Sequence, residues 1–284
     1  MKSSIRLLFV LLLFLFLVPT AWAEAADAQE EPLVYSRYID VPGVGPWYYY
    51  AQNDPEWGRS YYEPAGENHY RRFNNSGCGP TSLAIALTRQ LDPEDFVALL
   101  DKRDPRTKGF RYCSCSINHI HCFERHEPTY VTTPEEFLHN LPRVLGAYAA
   151  GNNYDFHLYR NNFSGTSLNL FPKIAEIFGL DYVGTSKWEV AEEKLKEGYS
   201  VITTVTKGIF TTSSHYLVIA NIDDEYIYLL DPWMRTEYQL DRKHRLEVLE
   251  PGLLRAKLED FNRLGLYGFY MMKNLNRDST TVSE

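Results

Sequence analysis

The pentapeptide GCGPT at residues 77–81 places a cysteine, Cys78, where a loop turns into a helix. The apolar run SLAIAL follows directly, and Pro80 suits the first helical turn, where its missing N–H costs nothing. A thiol there lies near unpaired N–H groups and the positive end of the helix dipole, which favour the thiolate. The thiolate is the nucleophile, so Cys78 is a candidate for attack on a carbonyl, with Gly77 and Gly79 leaving room for a substrate. A buried structural cysteine that begins a helix is the alternative.

A cysteine nucleophile needs a base and a group that orients the base. Among the eight histidines, His215 opens a strongly apolar predicted strand, directly after the small polar run TTSS at 211–214. Catalytic groups often lie at strand ends that border a loop. The next predicted strand ends at Asp231, and a hairpin turning at 223–225 brings this carboxylate back beside the imidazole. Asp231 is therefore the candidate that orients His215.

The register of this hairpin decides whether the two side chains can meet. Side chains alternate between the faces of a strand, so His215 and Asp231 share a face only if Asp231 lies opposite Leu217 rather than Tyr216. We therefore predict an odd-length turn or a β-bulge. We expect the His215 ring to lie between the Asp231 carboxylate and the Cys78 sulfur.

An oxyanion formed at the attacked carbonyl needs hydrogen-bond donors. The backbone N–H of Cys78 is one, because it stands at the predicted helix start. Gln52, in the segment QNDPEW at 52–57, is the candidate for the second through its side-chain amide. From propensity alone, Gln52 is only a polar residue before a turn.

Four segments together resemble the C39-like peptidase family: QNDPEW at 52–57, GCGPTS at 77–82, HYLVI at 215–219 and DP at 231–232. The resemblance covers about residues 50–240, and the family has the papain-like cysteine protease fold. It implies an α+β protein whose helical N-terminal lobe carries the nucleophile and whose antiparallel sheet lobe carries the histidine and aspartate. It also implies roles for four residues: Gln52 as oxyanion donor, Cys78 as nucleophile, His215 as base and Asp231 as orienting residue.

The function expected from these residues is that of a secreted cysteine peptidase that hydrolyses peptide bonds and uses no cofactor. Its expected partner is a peptide or protein substrate. A non-catalytic peptide-binding module and an acyltransferase that uses the same thiol are the alternatives. A metal-storage or sensing role is a third possibility. The net charge of −8, without a basic cluster, argues against nucleic acid as a partner.

A second group of residues has side chains of the types that bind zinc: Cys113, Cys115, His119, His121, Cys122 and His126. Their spacing matches no standard zinc finger or ribbon, so we do not assign a metal site to them. In an exported chain a disulfide from Cys122 to Cys113 or to Cys115 is equally compatible with the spacing. For these residues the sequence leaves three possibilities open: a disulfide, a bound metal ion, or neither.

The chain begins with the features of a secretory signal at residues 1–23: basic Lys2 and Arg6, an apolar core and the cleavage site AWA at 21–23. The apolar core is too short for a spanning helix, and no later segment is apolar enough, so no membrane span is expected after cleavage. Loss of the two positive charges takes the net charge from −8 to −10.

The remaining chain is predicted to hold one catalytic domain and two short flanking segments. We assign a flexible leader to 24–33, the C39-like domain to 34–272 with an insertion at about 104–132, and a disordered tail to 273–284. Capping boxes predict helices after residues 133 and 186, and further helices are expected from Cys78, at 93–100 and at 170–178. Strands are predicted at 38–42, 47–50, 201–206, 215–222, 226–230 and 267–272.

Overall fold

The computed structural model describes residues 34–58, 73–99, 111–112, 129–130, 133–151, 160–161 and 165–277. By its internal contacts the chain divides into Met1–Val34 and Tyr35–Glu284, and the description below concerns the second unit. The predicted signal segment and leader lie outside the described residues, as does most of the predicted insertion.

The core of the domain is an antiparallel sheet of seven strands. Its strands follow the order β11-β12-β10-β9-β8-β13-β7, and every neighbouring pair is antiparallel. Their bounds are β7 Asp181–Thr185, β8 Ser200–Val205, β9 His215–Ile222, β10 Tyr226–Leu230, β11 Leu246–Glu250, β12 Leu253–Lys257 and β13 Leu266–Lys273. Both faces of the central strands β8 and β9 are covered, since all of β8 and the first six residues of β9 are buried.

Within the described residues, helices cover parts of this sheet and three short hairpins flank it. The helices are α1 Phe73–Ser76, α2 Cys78–Gln90, α3 Pro93–Leu99, α4 Pro134–Gly151, α5 Leu170–Ile177 and α6 Trp188–Lys196, with a 3-10 helix at Leu258–Arg263. The hairpins are β1 Arg37–Val41 with β2 Gly45–Tyr49, β3 Arg111–Tyr112 with β4 Thr129–Tyr130, and β5 Arg160–Asn161 with β6 Gly165–Thr166. None of the helices described is long and apolar enough to cross a membrane.

Two apolar cores lie on the two faces of the large sheet. On one face, Tyr216 and Val218 of β9 pack with Leu83 of α2 and its neighbours. On the other face, Leu217 and Ile219 of the same strand belong to the cluster that contains residues of α6 and β13. The alternation along β9 therefore assigns α2, which begins with Cys78, to one face of the sheet.

The predicted α+β class is confirmed, and β9 and β10 begin and end at the predicted residues. Of the capping box predicted at residue 133, one of the two hydrogen bonds is seen: the Glu136 N–H donates to Thr133 Oγ1 at 3.2 Å. The box at Ser186 is wrong: α6 begins after Lys187 without a side-chain cap.

Three strands of the sheet, β7, β11 and β12, escape the sequence prediction. The structure also differs from the predicted disordered tail at 273–284, because residues 273–277 are part of the domain. The last strand includes Lys273, and Asn274 and Arg277 bond to residues at the end of α2. The adjoining edge of the domain thus extends about five residues beyond the predicted boundary.

The β9–β10 hairpin contains the bulge that the sequence argument called for as one of two solutions. Ile222 lies opposite Ile227, and Asp224 and Glu225 form the two-residue turn. The register then shifts by one residue between Tyr228 and Leu229, so that Leu230 lies opposite Val218. Continued by one residue, this register sets Asp231 opposite Leu217, on the face that His215 shares.

Candidate active site

Cys78 is the first residue of α2 and a free thiol that is half-buried. Gly77 precedes it as the N-cap, with no side-chain cap. The Gly77 carbonyl accepts the backbone N–H of Thr81 at 3.0 Å and the Thr81 hydroxyl at 2.8 Å, which closes the first helical turn. The thiol therefore has the helix-start position that the sequence predicts.

The two glycines beside Cys78 serve packing, which differs from the expectation that they leave room for a substrate. A Cβ at Gly77 would lie 2.6 Å from the ring of Phe73. A Cβ at Gly79 would overlap the side chain of Thr166 in β6. Both distances are shorter than van der Waals contact, so glycine is required here by the protein's own neighbours.

Thr166 also links the start of α2 to strand β9. Its carbonyl accepts a hydrogen bond from the Tyr216 hydroxyl at 3.1 Å, and Tyr216 is the residue after His215. The contact of Thr166 with Gly79 and this hydrogen bond connect the segment before the nucleophile candidate to the strand of the base candidate. A short two-residue strand thereby fixes two parts of the site against each other.

His215 and Asp231 meet as the hairpin register requires. His215 Nε2 lies 2.7 Å from Asp231 Oδ1, and both side chains are buried, the carboxylate completely. This contact occupies Nε2, which leaves Nδ1 as the remaining ring nitrogen of His215 in the cleft that Cys78 also lines.

The Asp231 carboxylate is held by several donors besides the imidazole. The Trp233 backbone N–H donates to Oδ1 at 2.8 Å, and the Tyr238 hydroxyl donates to Oδ2 at 2.5 Å. Arg235 adds an ion pair at 3.4 Å from Oδ2. The backbone carbonyl of Asp231 accepts the Tyr49 hydroxyl at 2.7 Å. A buried carboxylate with this many partners keeps one orientation and stays ionised.

The protonation states follow from this environment. Burial disfavours the imidazolium, but the charge of Asp231, its hydrogen bond and the Cys78 side chain outweigh burial and raise the pKa of His215 to about 9. Burial likewise disfavours the Asp231 carboxylate, but the charge and hydrogen bond of His215, with Arg235 and Tyr238, hold the pKa of Asp231 below its usual value. Near neutral pH the pair is therefore imidazolium and carboxylate.

A cleft of about 390 Å³ brings the predicted residues together. Cys78, His215 and Gln52 line it, with the polar run at 211–214 along one side. Phe210, Trp233 and Leu240 supply apolar surface, and Asn75 and Arg235 complete the lining. Asp231 lies behind His215 with no exposed surface. A nucleophile, a base and donors around one open cleft is an arrangement suited to acyl-transfer chemistry.

Gln52 is buried beside the segment that leads to Cys78. Its amide nitrogen donates to the Asn74 carbonyl at 2.6 Å, with the Phe73 carbonyl at 3.3 Å, and its backbone N–H donates to the Pro232 carbonyl at 2.6 Å. Gln52 thus bridges the loop before the nucleophile and the loop after Asp231. Its Oε1 atom has no hydrogen-bond partner among the described residues.

Sequence reasoning missed the residues that surround Asp231, above all Tyr49, Tyr238 and Arg235. Tyr49 lies in the predicted strand at 47–50 and is completely buried in β2. The other two lie within seven residues of Asp231 in the loop between β10 and β11. A search for polar aromatic and basic residues shortly after the aspartate is the signal that could have found them.

The six cysteine and histidine residues considered for metal or disulfide bonding lie outside the described residues. The described part of the chain contains no group of three or more histidine, cysteine or acidic side chains placed to hold a metal ion.

The fold and the site define an α+β domain with a cysteine, a histidine and a carboxylate at one cleft, the class to which cysteine peptidases belong. A family model described as "Peptidase_C39 like family" matches residues 48–250. This match spans more than half of the chain, and the chain belongs to that family. A search of curated proteins found no match.

Proposed function

We propose that this protein is a cysteine peptidase that hydrolyses peptide bonds through Cys78, His215 and Asp231, on a papain-like fold with a helical lobe and a sheet lobe. The observation that carries the proposal is the buried pair of His215 and Asp231, 2.7 Å apart, in a cleft that also exposes the thiol of Cys78. A binding module has no need for a buried charged imidazole beside a free thiol.

The first half of the reaction forms a thioester. The Cys78 thiolate attacks the carbonyl carbon, which forms the C–S bond and moves the carbonyl electron pair onto oxygen. The Cys78 backbone N–H donates to this oxyanion. The Gln52 amide is the proposed second donor, and to act it gives up its longer hydrogen bond, the one to the Phe73 carbonyl at 3.3 Å. The His215 imidazolium gives its proton to the amide nitrogen, the C–N bond breaks, and the amine leaves.

The second half restores the enzyme. The now neutral His215 takes a proton from water, whose oxygen attacks the thioester carbon. The C–S bond breaks, the acid is released, and the thiolate–imidazolium pair forms again. Asp231 stays ionised throughout and holds the ring in one orientation and tautomer. If an amine replaces water in this half, the same residues perform acyl transfer.

The proposal includes export, because residues 1–23 have the pattern of a cleaved secretory signal. The acting form is then the chain from about residue 24.

Labelling by a thiol-directed electrophile, followed by peptide digestion, tests the proposal. The chain from residue 24 is treated with limiting iodoacetamide and mapped by mass spectrometry, and a separate sample is incubated with a proteome-derived peptide library. We expect Cys78 to react faster than a free cysteine and the library to be cleaved. Both effects should be lost in Cys78→Ala, and cleavage should be lost in His215→Ala. Rapid alkylation of Cys78 without any cleavage would instead support the binding-module alternative.

A further inference from the structure

The ion pair of Arg235 with Asp231 does not explain why part of the Arg235 side chain is exposed in the cleft. Its side chain lines the cleft and is 28% exposed. The guanidinium carbon lies 4.6 Å from the centre of the Tyr238 ring, a cation–π contact that restricts where the group can move.

The N–H groups of Arg235 have no hydrogen-bond acceptor among the described residues. Nε is buried and without a partner. The one ion pair, to Asp231 Oδ2 at 3.4 Å, is too poorly aligned to be a hydrogen bond, and that oxygen already accepts the Tyr238 hydroxyl. A guanidinium held in an open cleft with unused donors matches the geometry of a carboxylate that arrives with a ligand.

The remaining charges around the cleft favour the same kind of ligand. Arg235 and His215 are the charged side chains among its described lining, and no carboxylate is exposed in that lining. In a chain of net charge −8, the described lining of the cleft therefore contains positively charged side chains and no negatively charged one.

The position of Arg235 indicates which part of a substrate it meets. His215 delivers its proton to the leaving nitrogen, and Arg235 contacts the same Asp231 carboxylate as His215 does and lines the same cleft. The leaving portion of the substrate therefore extends towards Arg235.

We propose that Arg235 is a specificity-determining residue that binds a carboxylate on the leaving side of the cleaved bond. This inference rests on the proposed peptidase function. The carboxylate is either an Asp or Glu side chain or the C-terminal carboxylate of a short leaving peptide. Both have the planar geometry that a guanidinium binds through two parallel hydrogen bonds.

The experiment first maps the cleavage sites in a proteome-derived peptide library. Cleavage is then compared between this library and the same library with amidated C-termini, and between matched synthetic peptides that carry Glu or Gln at one position. We expect the wild-type protein to cleave acidic substrates with a kcat/KM about tenfold above that of their neutral counterparts, the size of a charge-assisted hydrogen bond. Loss of the preference on amidation identifies the chain terminus as the source. Loss on changing Glu to Gln identifies a side chain.

The variants separate recognition from general damage. Arg235→Gln should reduce the acid-to-neutral ratio to about one, and Arg235→Lys should keep part of it. Arg242→Gln, an exposed change on the same loop, should leave the ratio within about twofold. A wild-type ratio near one, or a ratio that survives Arg235→Gln, overturns the inference while leaving the peptidase intact. If the wild-type protein cleaves no peptide, the proposed function fails first, and equal binding of Glu and Gln peptides by Cys78→Ala then overturns the carboxylate site independently.

Discussion

The start of helix α2 and the β9–β10 hairpin supply the two halves of the site, and they are held in place by different forces. At the helix start, Gly77 and Gly79 pack without side chains of their own against Phe73 and Thr166. Cys78 itself is half-buried and forms no disulfide. Shape complementarity positions the nucleophile candidate.

The hairpin half is held mainly by polar contacts. Asp231 is completely buried and accepts hydrogen bonds from His215, Trp233 and Tyr238. A buried carboxylate is costly unless every lone pair is used, so this network stabilises the fold as well as the imidazole. Because the two halves are held by different forces, we expect loss of the Cys78 side chain to lower activity alone, and a change at Asp231 to lower both activity and stability.

The largest expected effect is on turnover, in Cys78→Ala. Loss of the nucleophile should lower kcat/KM by about 10⁴-fold or more, as in other enzymes whose catalytic groups act as a unit. The melting temperature should change little, because the side chain is half-buried at a helix start. Kinetics on a cleaved peptide and thermal unfolding check both statements, and a large drop in stability would break the comparison.

Asp231→Asn should destabilise the protein by about 2–3 kcal/mol, because a buried charged partner of His215 is lost. Turnover should fall as well, since an amide can hold the wrong tautomer of the imidazole. Urea unfolding measures the change. The matched control is Asp224→Asn in the exposed hairpin turn, which we expect to stay within about 0.5 kcal/mol of wild type.

Raising the pH removes the charge of His215, and with it the ion pair to Asp231, without a mutation. The pKa of His215 is raised in the fold from 6.5 to about 9, so the imidazolium contributes stability that is fully present below pH 6.5. This contribution should be lost as the pH rises from 6.5 through about 9. Turnover should fall over the upper part of that range, because the proton for the leaving amine is gone. A stability–pH curve of equal slope in His215→Gln would contradict the assignment.

Gly79→Ala tests the packing half of the comparison. The added methyl group overlaps Thr166 and should cost about 1–3 kcal/mol, the usual penalty for overpacking. Gly208→Ala is the control, because a Cβ there meets nothing closer than the Thr206 carbonyl oxygen at 3.7 Å. Equal melting temperatures for the two variants would show that the contact with Thr166 relaxes freely.

Tyr238→Phe should give the smallest effect. It removes one hydroxyl from Asp231 and keeps the ring beneath Arg235, so we expect a loss of about 1 kcal/mol in unfolding free energy. Because Tyr238 orients Asp231, kcat should fall while KM stays close to wild type. A change confined to KM would assign Tyr238 to substrate binding instead.

Local sequence patterns and the family resemblance were enough to name four candidate site residues. GCGPT specifies a helix start from local sterics, and alternation along β9 and β10 specifies which residues share a face. These are short-range rules, so Cys78, His215 and Asp231 could be named as candidates before any coordinates, whereas the role of Gln52 rested on the family resemblance. The need for an odd-length turn or a bulge followed from the same alternation, but the choice of a bulge and its place, between Tyr228 and Leu229, did not.

Only the tertiary structure decided what surrounds those residues. The sequence does not tell that Thr166 fills the space above Gly79, that Tyr49 bonds to the Asp231 carbonyl, or that Tyr238 and Arg235 reach the carboxylate. Strand β7 at the sheet edge was missed because its pairing partner, β13, lies some 90 residues further along the chain. Contacts between distant segments depend on how whole elements pack, and the free energy of that packing is absent from any local window of sequence.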